Sequence, residues 1–287
     1  MSKGDANRQS IGERMKEYEA VTTSATLVKR LPLYARLDMR AGHTFCRGLD
    51  KPFDLDYANT MQEVTRQLVA KLGAAVGYTQ SDEISLVWKD TSQAPFENRL
   101  FKLESVFAGM ASAMFAVIGS KTKLKDKIEK IFPCFDCRVL NLPNLAEAAN
   151  MLQWREQDAI KNGITLLVLE HFSNKDIFKK NSDDKIKMLA AIGIDYFYTP
   201  REFRNGAYFA REVVDRTMSN IELGQIPEKH RPKPSPDGFV HVIRTVVNAF
   251  SLNCNLSDMD MESKIKALFA DRTLVKDDES GAEYYES

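Results

Sequence analysis

Residues 75–88 read AVGYTQSDEISLVW: two strand-like runs, 75–79 and 84–88, around the polar quartet Gln80, Ser81, Asp82 and Glu83. Short β-rich runs joined by a few turn-forming residues predict a tight hairpin. The hairpin puts a carboxylate, Asp82, at a strand end. Upstream, residues 31–39 (LPLYARLDM) form a further strand candidate, with Asp38 near its end. Carboxylates on two rigid strands and aimed at one point suit Mg²⁺-dependent nucleotidyl chemistry, because Mg²⁺ takes one or two carboxylates and completes its shell with water and phosphate. Turn carboxylates are also common for purely local reasons, so the surroundings must decide.

Working outward, Tyr57, Met61, Val64, Leu68 and Leu72 recur at helical spacing, and Gly73 supplies a stop. Residues 96–118 predict a second helix, with small residues over 108–113 that would let it lie close on a sheet. Residues 135–142 predict a fourth strand, ended by Pro143. The order β-α-β-β-α-β predicts an α+β, ferredoxin-like antiparallel sheet with two helices on one face, the core of polymerase-type palm domains. Such a fold hosts many activities, so function has to come from the site.

Around this core, residues 11–19 predict a short charged helix after a frayed start. Residues 144–172 predict a long helix with a capping box from Asn144 and Glu147. Residues 173–215 read as mixed helix and loop. Residues 238–250 are β-rich and follow the basic, proline-rich loop 229–234, and the last dozen residues read as an acidic, mobile tail. The expected division is an N-terminal helical arm (1–30), a palm-like catalytic core (31–143), a helical and RNA-contacting region with the late β run (144–250), and a C-terminal helix with the tail (251–287).

Forty basic and forty acidic residues cancel, so a nucleic-acid partner would be held by local patches such as 121–130, 179–180 and 229–233. There is no secretory pattern and no run of eighteen apolar residues, which predicts a cytoplasmic protein with no membrane partner. The four cysteines include one lone C-x-x-C pair, Cys134 and Cys137, read as structural.

Arg36, Arg40, His43, Arg47 and Lys51 lie on and after the first strand, and Ser81 adjoins Asp82. A nucleoside triphosphate needs such cations, and backbone N–H groups from a loop over 39–43, including Ala41, where Gly42 permits close approach.

Three blocks carry a family resemblance: RLDMRAGHTFCRGLDKPFD (36–54), YTQSDEISLVW (78–88) and FDCRVLNLPNLAEAANMLQWREQDAIKN (135–162). They resemble the tRNA-histidine guanylyltransferase superfamily over roughly residues 11–210. The resemblance implies addition of nucleotides to RNA 5′ ends, two or more Mg²⁺ ions per site, ATP and GTP or another nucleoside triphosphate as substrates, a tRNA or tRNA-like partner, and a homotetramer. It places metal ligation on Asp38, Asp82 and the Met39 backbone carbonyl. Catalytic carboxylates fall on Asp38 and Asp82, with Glu83 as a weaker candidate. It places nucleotide binding on Arg36, Met39, Arg40, Ala41, Gly42, His43, Lys51, Ser81 and Asp82. Arg99, Lys102 and Asn162 fall near a second triphosphate or the RNA 5′ end.

Met39 stands where the family usually has glycine, which puts the local loop in question, and Cys137 also replaces a usual glycine. Ile160, Lys161, Asn162 and Gly163 lack the histidine of the eukaryotic His-Ile-Asn-Asn motif. That resembles the bacterial, archaeal and phage guanylyltransferase-like proteins, with template-dependent 3′–5′ addition and tRNA 5′-end repair as the implied activity. The alternatives are a true tRNA-His guanylyltransferase, a palm-fold cyclase or ordinary polymerase, and a non-catalytic RNA-binding module on the same scaffold.

Overall fold

The computed structural model describes residues 10–276 and 283–286. In chain order the elements are α1 (Ile11–Thr23), β1 (Leu33–Met39), α2 (Gly42–Cys46), α3 (Leu55–Leu72), β2 (Val76–Gln80), β3 (Glu83–Trp88), α4 (Leu100–Gly119), α5 (Lys125–Ile131) and β4 (Phe135–Asn141). There follow α6 (Leu145–Leu169), α7 (Ser182–Ala191), α8 (Arg201–Asn205), β5 (Ala207–Thr217), α9 (Asn220–Gln225), β6 (His241–Phe250), α10 (Met261–Phe269), β7 (Arg272–Lys276) and β8 (Glu283–Glu286).

The first four strands pair antiparallel in the order β4-β1-β3-β2, as the βαββαβ reading requires. Alternation along β1 sorts its side chains between two cores. Leu33, Ala35, Leu37 and Met39 face α3 and α4, where they meet Met61, Val64, Leu68, Leu103, Phe107 and Phe115. Tyr34 faces the opposite way, into a core with Tyr78, Val87, Ala148, Leu152 and Leu268. The expected pair of helices therefore covers one face, and α6 with α10 covers the other, giving a palm-like sheet with flanking helices.

Three readings are corrected. Within 173–215, residues 207–215 are not helix and loop but most of β5, which continues the sheet by pairing with β2 and carries β6 along a ten-residue register, Tyr208↔Phe250 to Thr217↔His241. Its apolar opening gives way to a charged stretch in which alternation fades, so period-based reading misses it. The second helix begins at Leu100, because Phe96, Glu97 and Asn98 all adopt left-handed conformations ahead of it. That turn is held by Leu27 N–H donating to Asn98 O (2.9 Å) and Leu100 N–H donating to Ala25 O (2.9 Å). Asn144 caps α6 by accepting from Glu147 N–H (2.9 Å), but Glu147 does not reach back; its Oε1 accepts from Asn150 instead (3.0 Å), so there is no capping box.

Helix α4 is long and apolar enough, by length and composition, to cross a membrane. Its Leu103, Phe107, Ala111, Phe115 and Gly119 form one buried face packed into the core of the fold. Of the expected frayed start, 1–10, residues 1–9 lie outside the described residues, as does part of the acidic tail (277–282 and 287), whereas Ser10 is ordered as the cap of α1 and accepts from Glu13 N–H (3.2 Å). Its described part, Glu283–Glu286, pairs with β7. All four cysteines are free.

Candidate active site

The hairpin closes through a two-residue turn, Ser81 and Asp82, with Ser81 at φ +54°. The turn is tied to the end of β1 by Met39 N–H donating to Asp82 O (3.0 Å), while Arg40 N–H donates to Cys134 O (2.8 Å). The first bond holds Asp82 against the end of β1, next to Asp38, and the second ties that end to the segment before β4. The Met39 side chain continues the β1 alternation into the α3–α4 core and is 1% exposed. A side chain in place of glycine thus fills core volume rather than crowding the site, which answers the question that the sequence raised about the loop.

Asp38 has Glu83 opposite it on β3 and Asp136 opposite it on β4. Burial pushes its carboxyl above the ordinary aspartate value, and repulsion from Asp82 and Asp136 pushes it further, against the pull of Arg36 and Arg138. Like charges held together in partial burial make a site that favours a cation. Among the described residues no group of three or more His, Cys, Asp or Glu side chains gathers as a metal cage. Mg²⁺ needs only one or two carboxylates, because it draws its other ligands from water and phosphate.

Glu83 faces α6. It accepts from Arg155 (2.9 Å) and lies 3.8 Å from Arg36, and Arg155 also stacks on Trp154, 3.8 Å from the ring centroid. Burial raises its pKa and Arg155 counters that. Arg36 belongs to this same cluster, 5.8 Å from the centre of the Trp154 ring.

Next to Asp82 opens a cleft of about 360 Å³. Gly42, His43, Lys51, Ser81 and Asp82 line it, joined by Arg47, Gly48 and Gln80. Ala41, at φ +56°, turns the chain from β1 into α2. Gly42 follows, and a Cβ added there would collide with the Asp82 carboxylate. The loop between α2 and α3 is fixed by Asp54, whose carboxylate accepts from Tyr57 N–H (3.1 Å) and Asp50 N–H (3.0 Å) and pairs with Lys123 (3.1 Å). Lys123 also pairs with Asp50, and Lys127 donates to Arg47 O. Two lysines of the 121–130 patch therefore brace this loop.

Arg40 is exposed at the end of β1, and Arg36, Asp38, Met39, Arg40 and Ala41 do not line the cleft. Arg99 and Lys102 open α4, Arg99 donating to Phe96 O (3.4 Å) and Lys102 sitting 5.3 Å from the Phe96 ring centre. Asn162 is exposed on α6, one helical turn before Leu166, which lines the cleft.

The far wall was not read from the sequence. Phe53, after the cis Lys51–Pro52 bond, stacks on Phe203 of α8 (4.5 Å between centroids, 11° between planes). Glu202, Phe203 and Ala207 join Leu166 on that wall. No local signal marks Phe203, because only the packing of α8 on α6 brings it to the cleft.

Comparison with known proteins agrees with this geometry. A family model described as tRNAHis guanylyltransferase matches residues 12–143. A solved bacterial tRNA(His) guanylyltransferase (Thg1)-like protein in complex with ATP superposes with a TM-score of 0.64 at 36% identity, covering 71% of this chain and 87% of that one. A bacterial Thg1-like protein in complex with GTP gives 0.64 at 27% identity, covering 91% and 100%. The Arabidopsis thaliana tRNA(His) guanylyltransferase 1 is 24% identical over 210 residues, 67% of this chain but 35% of that protein. The chain belongs to the tRNA(His) guanylyltransferase-like superfamily of nucleotidyltransferases.

Proposed function

We propose that the protein adds nucleotides to tRNA 5′ ends in the 3′–5′ direction, under template control, as a 5′-end repair enzyme using ATP or a 5′-triphosphate for activation. The observation that carries the chemistry is the Asp82 carboxylate in a cleft lined by Lys51, His43 and Arg47, close enough to Asp38 at the end of β1 to repel its charge. Asp38 and Asp82, with the Met39 carbonyl, would hold Mg²⁺. A Mg²⁺ ion held there would supply charge neutralisation for the phosphates.

The chain's own residues position the substrates. Lys51, His43 and Arg47 supply cationic and hydrogen-bonding groups to the triphosphate, Ser81 adds a hydroxyl, and Phe53 with Phe203 gives the base an apolar wall. Activation joins an oxygen of the RNA 5′-monophosphate to the α-phosphorus of ATP, and pyrophosphate leaves. The 3′-hydroxyl of the incoming nucleotide then attacks the RNA 5′-phosphorus, AMP leaves and the hydroxyl proton passes to solvent. A 5′-triphosphorylated RNA reacts directly and releases pyrophosphate. Positioning and charge stabilisation supply most of the acceleration in such transfers, so no side-chain nucleophile is needed.

Support for the repair branch is the absence of histidine in 160–163 and the likeness to Thg1-like proteins in complex with ATP and with GTP. The second reading, addition of one guanosine to tRNA-His, is favoured by the likeness to the Arabidopsis enzyme. Supplying single nucleotides to a 5′-truncated tRNA and to tRNA-His separates them: repair requires extension that follows the template base. RNA is held through basic patches that include 179–180 and 229–233. A tetramer sharing one RNA belongs to the same proposal, and sizing with and without RNA checks it.

A further inference from the structure

Between α7 and β5 the chain presents rings that no core uses. Tyr196 is buried, but Phe197 and Tyr198 are 64% and 88% exposed. Their turn is held firmly: the Asp195 carboxylate accepts from Phe197 N–H (2.9 Å), Asp195 O accepts from Tyr198 N–H (3.2 Å), and Tyr196 O accepts from Thr199 N–H (3.0 Å). Tyr196 anchors the turn in a small core with Ile164, Val168 and Leu189. Single exposed rings are ordinary; two adjacent ones on a braced turn ask for a partner.

The turn is linked to the cleft. Arg204 lies 5.8 Å from the Tyr196 ring centre and 5.9 Å from that of Phe197, and its Nε donates to Thr199 O (2.7 Å). The preceding residue, Phe203, is the cleft wall that stacks on Phe53. Helix α8 sits close on α6 here, since a Cβ at Gly163 would come within 2.8 Å of Phe203 O. Rings with a guanidinium among them thus connect the cleft wall to the outer surface.

We infer that Phe197 and Tyr198 form a stacking ledge for unpaired nucleotides of the RNA whose 5′ end occupies the cleft. This rests on the RNA-directed reading above. Every base offers a π-face, and aromatic side chains on a rigid support take single strands with little sequence preference. Two rings are far short of the roughly 800 Å² per partner of a stable protein interface, so a folded protein is the poorer occupant. Within 195–204, Arg201 and Arg204 are balanced by Asp195 and Glu202. Stacking rather than phosphate neutralisation therefore supplies the affinity, and this component is insensitive to salt.

The test compares wild type with Phe197→Ala/Tyr198→Ala, binding a labelled single-stranded RNA and a blunt RNA duplex across a salt series. The expected result is a loss of about tenfold or more on the single strand, little change on the duplex, an unchanged salt slope, and recovery with Phe197→Trp/Tyr198→Trp. Unchanged single-strand binding by the alanine variant, in a wild type that binds RNA, overturns the ledge alone. A wild type that binds neither RNA overturns the RNA-directed reading with it. A change in oligomeric state on sizing makes the rings a contact between copies and also overturns the ledge.

Discussion

The Asp82 carboxylate occupies the space that a side chain at Gly42 would fill. The two residues come from different blocks of sequence, and their contact sets where the second carboxylate stands relative to Asp38. Gly42→Ala should displace that carboxylate while leaving the buried sheet intact. A displacement on the order of 1 Å costs about a hundredfold in rate. Steady-state pyrophosphate release should fall by that order, with the far-UV spectrum unchanged.

Ala41 is held at φ +56°, ψ +35°, a left-handed conformation that disfavours L side chains by about 1–2 kcal/mol. Glycine relieves that strain and gives part of it back as chain entropy. Ala41→Gly should stabilise the protein by up to about 1 kcal/mol, read as a higher urea midpoint with an unchanged slope.

Arg155 neutralises Glu83 in a partly buried cluster with Arg36, Trp154 and Asp158. Removing it leaves Glu83 without its closest cation, and Arg155→Ala should cost about 3 kcal/mol. Glu83→Gln should be tolerated better in stability and keep most of the catalytic activity, since Glu83 is bound to α6. A Glu83→Gln enzyme as inactive as an Asp82 variant would place Glu83 in the metal site instead.

Glu156 on α6 is fully buried; it accepts from Leu256 N–H (2.7 Å) and faces Arg201, Asn205 and Tyr208. Burial raises its pKa above the ordinary 4.5, and the Leu256 N–H, Arg201 and Asn205 oppose the rise. Between 4.5 and that raised value the folded state binds more protons than the unfolded state. The contribution of this group to stability therefore declines as pH rises through that window. Glu156→Gln should flatten that part of the stability profile, measured by denaturant titration at a series of pH values.

The sheet core was legible because β1, the hairpin and β4 carry dense apolar runs bounded by turn residues, and the long blocks around Asp38 and Asp82 marked the near side of the cleft. Strand β5 was not legible, because Arg211, Glu212 and Asp215 break its alternation and its pairing with β2 is a long-range contact. The start of α4 was misplaced because three left-handed residues do not announce themselves by composition. Phe203 reaches the cleft only through packing across Gly163. Glu83 sat in the right block, but only the strand register puts it on the face of Arg36, and only the packing of α6 brings Arg155 to it.

The most direct test of the central claim is 5′ extension of a truncated tRNA with Mg²⁺, ATP and the templated nucleotide, comparing wild type with Asp82→Asn. The account predicts templated extension with release of pyrophosphate and AMP by the wild type, and loss of both activation and addition in the variant without loss of the fold. Normal extension by Asp82→Asn would contradict it.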